Sequence, residues 1–110
     1  MACMIAAPAS GSGKTLLSLC LIAWARQLGH SIQPFKVGPD YLDPQLLSLT
    51  ATQSCRNLDL PLCGADWLQL SFCGYGGSSE MALVEGVMGL FDGIGASSEG
   101  STADVAKLLK

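Results

Sequence analysis

Charge is scarce in this chain of 110 residues. Only 14% of the side chains are Asp, Glu, Lys or Arg, just six are basic, and the formal net charge is −3. Nucleic acid and anionic membrane surfaces are held by a basic face, which this composition does not supply, so neither is an expected partner. Aromatic residues make up 6%, and the two tryptophans, Trp24 and Trp67, stand among leucines without basic interleaving. They form no stacking platform for single strands and read as core. The single histidine, His30, follows Gly29 where a helix would end, which makes it a turn residue rather than a zinc ligand.

Long apolar runs are also missing. Residues 16–25 are apolar and end in Ala23-Trp24-Ala25, the outline of a secretory h-region and cleavage site. The run is too short to span a bilayer, its n-region would carry one charged side chain, and cleavage would discard the motif described next. It reads as a helix buried on a sheet. Cysteine, by contrast, is plentiful: Cys3, Cys20, Cys55, Cys63 and Cys73 are odd in number, fit neither CxxC nor a disulfide framework, and read as free thiols in a reducing cytoplasm. One domain is the most this length allows, with roughly two-thirds of the unfolded surface buried. At 49% hydrophobic and a mean hydropathy of +0.39, the chain is greasier than a free-standing small domain needs to be and reads like the inside of something larger.

What is present begins with APASGSGKT, residues 7–15, between a short apolar run and a helix-like stretch. That is the layout of a phosphate-binding loop. Gly11 and Gly13 let the backbone curl so that N–H groups, including those of Ser10 and Ser12, face an anion, and the helix dipole adds positive potential. Lys14 would reach the β- and γ-phosphates of a nucleotide, and the Thr15 hydroxyl would hold Mg²⁺. The strict pattern GxxxxGK[ST] has glycine where this chain has Pro8.

The rest alternates. Residues 3–7 read as a strand, 14–28 as a helix closed by Gly29, and 31–37 as a second strand, against which Pro34 argues because it lacks a ladder donor and favours an edge or a bulge. Residues 44–51 and 65–73 suggest short helices, and 73–79 (CGYGGSS) a loop. Residues 81–84 form a buried strand ending at Glu85; a glycine-broken stretch follows, and a capping box at Ser101 to Asp104 opens a last helix from about Thr102 to Leu109. Strand–helix alternation implies a parallel sheet. Three short strands leave its edges open, so further structure is expected after Lys110.

The acids bear on chemistry. Glu85 ends a strand, where phosphate-loop proteins place a Mg²⁺-holding acid; the alternative is a solvated strand end. Asp40 and Asp43 lie in FKVGPDYLDP (35–44), again after a strand, but a turn built from aspartate and proline explains them as well. Asp92 in GLFDG has the same standing. Lys36 would end the second strand and point into the same crevice, where a cation meets a transferring phosphoryl group. Arg56 reads as a local structural residue.

Five blocks, in order, resemble the ATP-dependent, glutamine-using cobyrinic acid a,c-diamide synthases of cobalamin biosynthesis: IAAPASGSGKT (5–15), QPFKVGPDYLDP (33–44), RNLD (56–59), LVEGVMGLFDG (83–93) and GSTADVAKLL (100–109). Pro8 is part of that resemblance. Cobyric acid synthases lack GPDYLDP and VEGVMGLFDG; partitioning ATPases of the MinD/ParA type carry an extra lysine where this chain has Ala9; dethiobiotin synthetases differ after the second strand.

The resemblance implies an α/β fold, a P-loop NTPase-type parallel sheet with flanking helices (dethiobiotin synthetase/MinD-like), incomplete at its C-terminus. It implies that residues 1–110 are the amino-terminal part of an ATP-binding amidoligase domain in a cytoplasmic enzyme. ATP would phosphorylate carboxylates of a corrinoid substrate, and ammonia would convert the acyl-phosphates to amides. Ser10, Gly11, Ser12, Gly13, Lys14 and Thr15 would bind the nucleotide. Thr15, Glu85 and Asp40 would hold Mg²⁺, and Lys36, Asp40, Asp43 and Asp92 would serve the transfer. A glutaminase domain is expected as partner in the intact enzyme, for which a homodimer is also compatible; nothing in this sequence matches that domain, and no cysteine has a nucleophile context. The other reading is a truncated, non-catalytic nucleotide-binding remnant.

Overall fold

The structure, a computed structural model, describes residues 1–9, 11, 13–93, 97 and 99–109. The elements in chain order are β1 (Ala2–Ile5), α1 (Lys14–Gln27), β2 (Ile32–Val37), α2 (Asp43–Ala51), β3 (Arg56–Leu58), α3 (Leu60–Cys63), α4 (Ala65–Gly76), β4 (Met81–Glu85) and α5 (Thr102–Leu108). All strand pairs are parallel, in the spatial order β1-β4-β2-β3. Helices cover both faces. Ile22 and Ala25 of α1 and Leu47 and Ala51 of α2 pack on Ile5, Ile32 and Leu83. On the opposite face Leu68 of α4 and Val105 of α5 meet Phe35, Val37, Leu58, Ala82 and Val84.

β2 is buried along its whole length, as befits a central strand covered on both faces. Pro34 lies inside it, at a point where β2 is locally an edge. β3 pairs with β2 only from Phe35 onward, so the N–H that Pro34 lacks has no strand to meet on that side. The Gln33 side chain fills the gap: its Nε2 donates to the carbonyls of Pro34 (2.9 Å) and Ser54 (2.8 Å).

Other elements depart from the sequence reading. β3 makes a fourth strand; with three residues and no apolar run of its own, it exists because β2 offers it a ladder. α3 is a single turn whose N-cap, Asp59, accepts from the Leu62 N–H. α4 runs through Gly74 and Gly76 instead of yielding to a loop at residue 73. Packing overrides glycine's low propensity there: the Phe72 ring lies 5.2 Å from Phe35, and the Arg56 guanidinium stacks 4.1 Å over Tyr75. The tryptophans are not core, being 61% (Trp24) and 59% (Trp67) exposed. α1 is not buried all round either; its inward stripe is Ser18, Ile22 and Ala25, and Leu16, Leu17 and Leu28 face outward with Trp24.

The capping box at α5 forms with a shift. Ser101 Oγ accepts from the Asp104 N–H (3.3 Å), while the Asp104 carboxylate accepts from Gly100 (3.0 Å), one residue before the cap. Thr102, the first residue of α5, is buried against the exit of β4. A Cβ on Gly86 would lie 2.7 Å from Thr102 Cγ2 and 3.0 Å from the Ile5 carbonyl oxygen, with backbone on one side and a pinned threonine on the other. Gly86→Ala is expected to destabilise the chain by about 1–3 kcal/mol through overpacking, read as a lowered urea midpoint at unchanged slope. An unchanged midpoint would contradict this packing.

Candidate functional site

A polar row crosses an otherwise apolar sheet face. Parallel register aligns Ile5 with Glu85, Glu85 with Lys36, and Lys36 with Asn57, one residue from each strand near its C-terminal end. Register partners project to the same side, here the face that α1 and α2 cover. From α1 comes Thr15, whose Oγ1 lies 2.6 Å from Glu85 Oε1 and 3.1 Å from Asp43 Oδ2; with one proton, the hydroxyl donates to one of them at a time. From the first turn of α2 comes Asp43, 3.3 Å from Lys36 Nζ. Lys36 also lies 3.9 Å from Glu85 and 4.0 Å from Asp40, and donates to the Gly86 carbonyl at 2.9 Å.

This cluster is electrostatically unfinished. Lys36 and Glu85 are both buried, so each charge depends on its partners. Three carboxylates surround one ammonium. Burial pushes the Glu85 carboxyl above its ordinary range; the Thr15 hydrogen bond and Lys36 pull it down, and Asp43 and Asp40 push it up further. Glu85 Oε2, buried, has no hydrogen-bond partner. The same field acts on the Cys55 thiol, which burial first and then Glu85 push up to about 12.

The glycine loop borders the cluster. Gly11 (φ 73°) and Gly13 (φ 85°) hold left-handed conformations that side chains rarely adopt. Gly13 is the N-cap of α1, and among the described residues no side chain caps that end and no acid lies in the first turn, an arrangement that suits an external anion. Lys14 Nζ donates to the Met88 carbonyl at 2.8 Å. A cavity of about 300 Å³ is lined by Gly11, Gly13, Lys14, Thr15, Lys36, Asp40 and Asp43 together. A larger one, about 520 Å³, lies among Met1, Trp24, Leu28 and Met81, and it holds no glycine loop or lysine.

The segment after β4 is strapped to the glycine loop. Leu90 N–H donates to the Ala7 carbonyl (2.7 Å), and a Cβ on Gly89 would lie 2.6 Å from the Pro8 carbonyl oxygen. Thr102 fixes this strap from α5, its Oγ1 accepting from the Val87 N–H (2.9 Å) and donating to the Val87 carbonyl (3.2 Å). Asp92 belongs to the strap: its Oδ2 accepts from Gly89 N–H at 2.9 Å, and it does not line the cavity. Asp40 lies at the cavity, with Oδ1 taking the Leu42 N–H at 2.9 Å, so the turn reading and the site reading both describe it.

The structure thus brings Gly11, Gly13, Lys14, Thr15, Lys36, Asp40, Asp43 and Glu85 together and leaves Asp92 in the strap; Ser10 and Ser12 lie outside the described residues. Sequence reasoning passed over Asn57 and Thr102. Asn57 stood in a quoted block, RNLD, but only the register with Lys36 shows its relevance. The oxygens gathered here are hard donors of the kind Mg²⁺ takes: Thr15 Oγ1, Asp43 and Glu85, whose Oε2 accepts no hydrogen bond. Among the described residues no group of three or more His, Cys, Asp or Glu forms a ready cation cage.

Known proteins resemble this chain over nearly its whole length. The profile of the CobQ/CobB/MinD/ParA nucleotide binding domain matches residues 3–108. The chain is 48% identical over 107 residues to the cobyrinate a,c-diamide synthase of Syntrophotalea carbinolica, covering 96% of this chain and 23% of that protein. It is 47% identical over 110 residues to the hydrogenobyrinate a,c-diamide synthase of Mycobacterium tuberculosis (96% and 24%). Against the cobyrinate a,c-diamide synthase of Gloeobacter violaceus it is 44% identical over 111 residues (100% and 25%). The chain therefore spans about a quarter of the length of these relatives. No solved structure gives a significant match.

Two outcomes follow from the electrostatics. With its carboxyl raised in the folded state, Glu85 keeps its proton there at a pH where the unfolded chain has released it, so its contribution to stability falls as pH rises from the ordinary carboxylate value of 4.5. Glu85→Gln should show a shallower loss of unfolding free energy over that rise than the unsubstituted chain in urea titrations at a series of pH values; equal slopes would refute the assignment. Thiol labelling at pH 8 should leave Cys55 unreacted while exposed Cys3, Cys20, Cys63 and Cys73 react, because a shift from 9.0 to about 12 cuts the thiolate fraction about a thousandfold.

Proposed function

This chain belongs to the CobQ/CobB/MinD/ParA nucleotide-binding domain family, and from that premise we propose that it carries the Mg·ATP site of an ATP-dependent cobyrinate a,c-diamide synthase-type ligase. The observation that carries the proposal is the meeting of Thr15, Lys36, Asp43 and Glu85 beside an uncapped helix N-terminus. In this reading residues 1–110 are the amino-terminal part of the ligase domain of a cytoplasmic enzyme, and a glutaminase domain in the intact protein supplies ammonia.

The proposed chemistry is amide formation in two steps. An oxygen of a corrinoid side-chain carboxylate attacks the γ-phosphorus of ATP, and ADP leaves. Ammonia then adds to the acyl carbon, phosphate departs with the activated oxygen, and the nitrogen loses a proton to leave the amide. The protein's share is positioning and charge neutralisation.

The N–H groups of residues 10–15 and the Lys14 ammonium cradle the phosphates. Thr15, Glu85 and Asp40 are the proposed holders of Mg²⁺, which when bound neutralises phosphate charge; Asp43, adjoining Thr15, is a further oxygen donor. Lys36, with carboxylates on three sides, faces the transferred group, with Asp40 and Asp43 orienting the substrate. Asp92 serves the reaction through the strap it closes against Gly89. Relatives named for cobyrinate and for hydrogenobyrinate match at nearly equal identity, so the proposed substrate is the corrinoid carboxylate with either macrocycle.

Purified chain at an ATP concentration about a hundred times Kd, with Mg²⁺, should gain about 2.7 kcal/mol of stability by mass action. Lys14→Ala should lose most of that gain. An unsubstituted chain whose unfolding ignores millimolar Mg·ATP would favour a non-catalytic remnant. In an intact relative, replacing the residue equivalent to Glu85 by Gln should lower corrinoid-dependent ADP formation by about a hundredfold or more.

A further inference from the structure

Asn57 is a polar residue in a three-residue strand, beside the reacting cluster but not in contact with the cavity. Its Nδ2 donates to two carbonyl oxygens of the segment joining β2 to α2, that of Gly38 at 2.8 Å and that of Asp40 at 2.8 Å. A primary amide nitrogen carries two hydrogens, so one side chain satisfies both acceptors at once; a hydroxyl has one hydrogen, and a carboxylate has none.

The two acceptors flank Pro39, which has no N–H to contribute to the turn. Two further bonds fix the segment. The Gly38 N–H extends the β2–β3 ladder to the Leu58 carbonyl (3.1 Å), and Asp40 Oδ1 takes the Leu42 N–H. Asp43 then opens α2 within reach of Lys36 and Thr15.

We infer that Asn57 is a positioning residue, whose amide clamps residues 38–40 and so sets Asp40 and Asp43 against Lys36 and Thr15. Its role toward the metal rests on the Mg·ATP reading above; its role toward the loop does not. Among the described residues Asn57 makes its side-chain hydrogen bonds to Gly38 and Asp40 and none to the glycine loop. Its loss should therefore weaken the metal requirement of the site rather than phosphate binding as such.

The test uses the full chain with Asn57→Asp, which keeps the shape and removes both donors, and Asn57→Ser, a smaller variant that avoids a second carboxylate near Asp40. Without ligand, amide hydrogen exchange at Leu42 and Gly38 should quicken at least tenfold, while Leu17, bonded to Gly13 in α1, and Val84, in β4, keep their rates. With ATP, the Mg²⁺ concentration giving half-maximal stabilisation should rise at least fivefold while the stabilisation at saturating Mg²⁺ is retained.

Unchanged exchange at Leu42 and Gly38 in a folded variant overturns the inference, whether or not the chain binds ATP. Loss of protection spread evenly over Leu17 and Val84 overturns it as well, showing a role in stability alone. Should the unsubstituted chain ignore Mg·ATP, the functional reading falls, and the ligand-free exchange still decides the role of Asn57.

Discussion

A buried ammonium paired with a buried carboxylate, Lys36 against Glu85 across the two central strands, is the constraint around which this molecule is arranged. Neither charge survives burial alone. Lys36 takes the Gly86 carbonyl and leans toward Asp43; Glu85 takes the Thr15 hydroxyl. Each of those partners belongs to a different element, so one ion pair draws together β2, β4, α1, α2 and the strap after β4. An apolar pair at the same two positions would pack the sheet, but it would give none of those elements a reason to converge there.

The order of the strands makes this convergence possible. β4 inserts between β1 and β2, so the exits of β1, β4 and β2 lie side by side, with the glycine loop leaving the first, the strap the second and the aspartate loop the third. Ligand crevices of open α/β sheets lie at such carboxyl ends. Here the strap gives its backbone to its neighbours: the Gly86 carbonyl to Lys36, the Met88 carbonyl to Lys14, and the Leu90 N–H to Ala7.

Much of this was legible in the chain itself. Apolar runs bounded by glycine, proline and capping residues marked β1, α1, β2, α2, β4 and α5, and the glycine loop, Lys36, Asp40, Asp43 and Glu85 were placed by their positions at strand ends. What escaped depends on partners distant in sequence. β3 has no pattern of its own because its ladder comes from β2. The end of α4 is stabilised by contacts of Phe72 with Phe35 and Tyr75 with Arg56, which outweigh two glycines. Trp24 looked like core because an apolar run does not reveal which of its faces meets the sheet. Asn57 comes to lie beside Lys36 only through a strand register that the chain does not announce.

The hydrogen bond from Lys14 to the Met88 carbonyl has a consequence of its own. Met88 holds a left-handed backbone (φ 47°), uncommon for a residue with a side chain, and its carbonyl occupies a hydrogen of the loop's lysine. An ammonium carries three hydrogens, so the tie to Met88 and a contact with an anion in the loop are compatible in one side chain. Lys14 thus ties the glycine loop to the same strap whose Gly86 carbonyl supports Lys36.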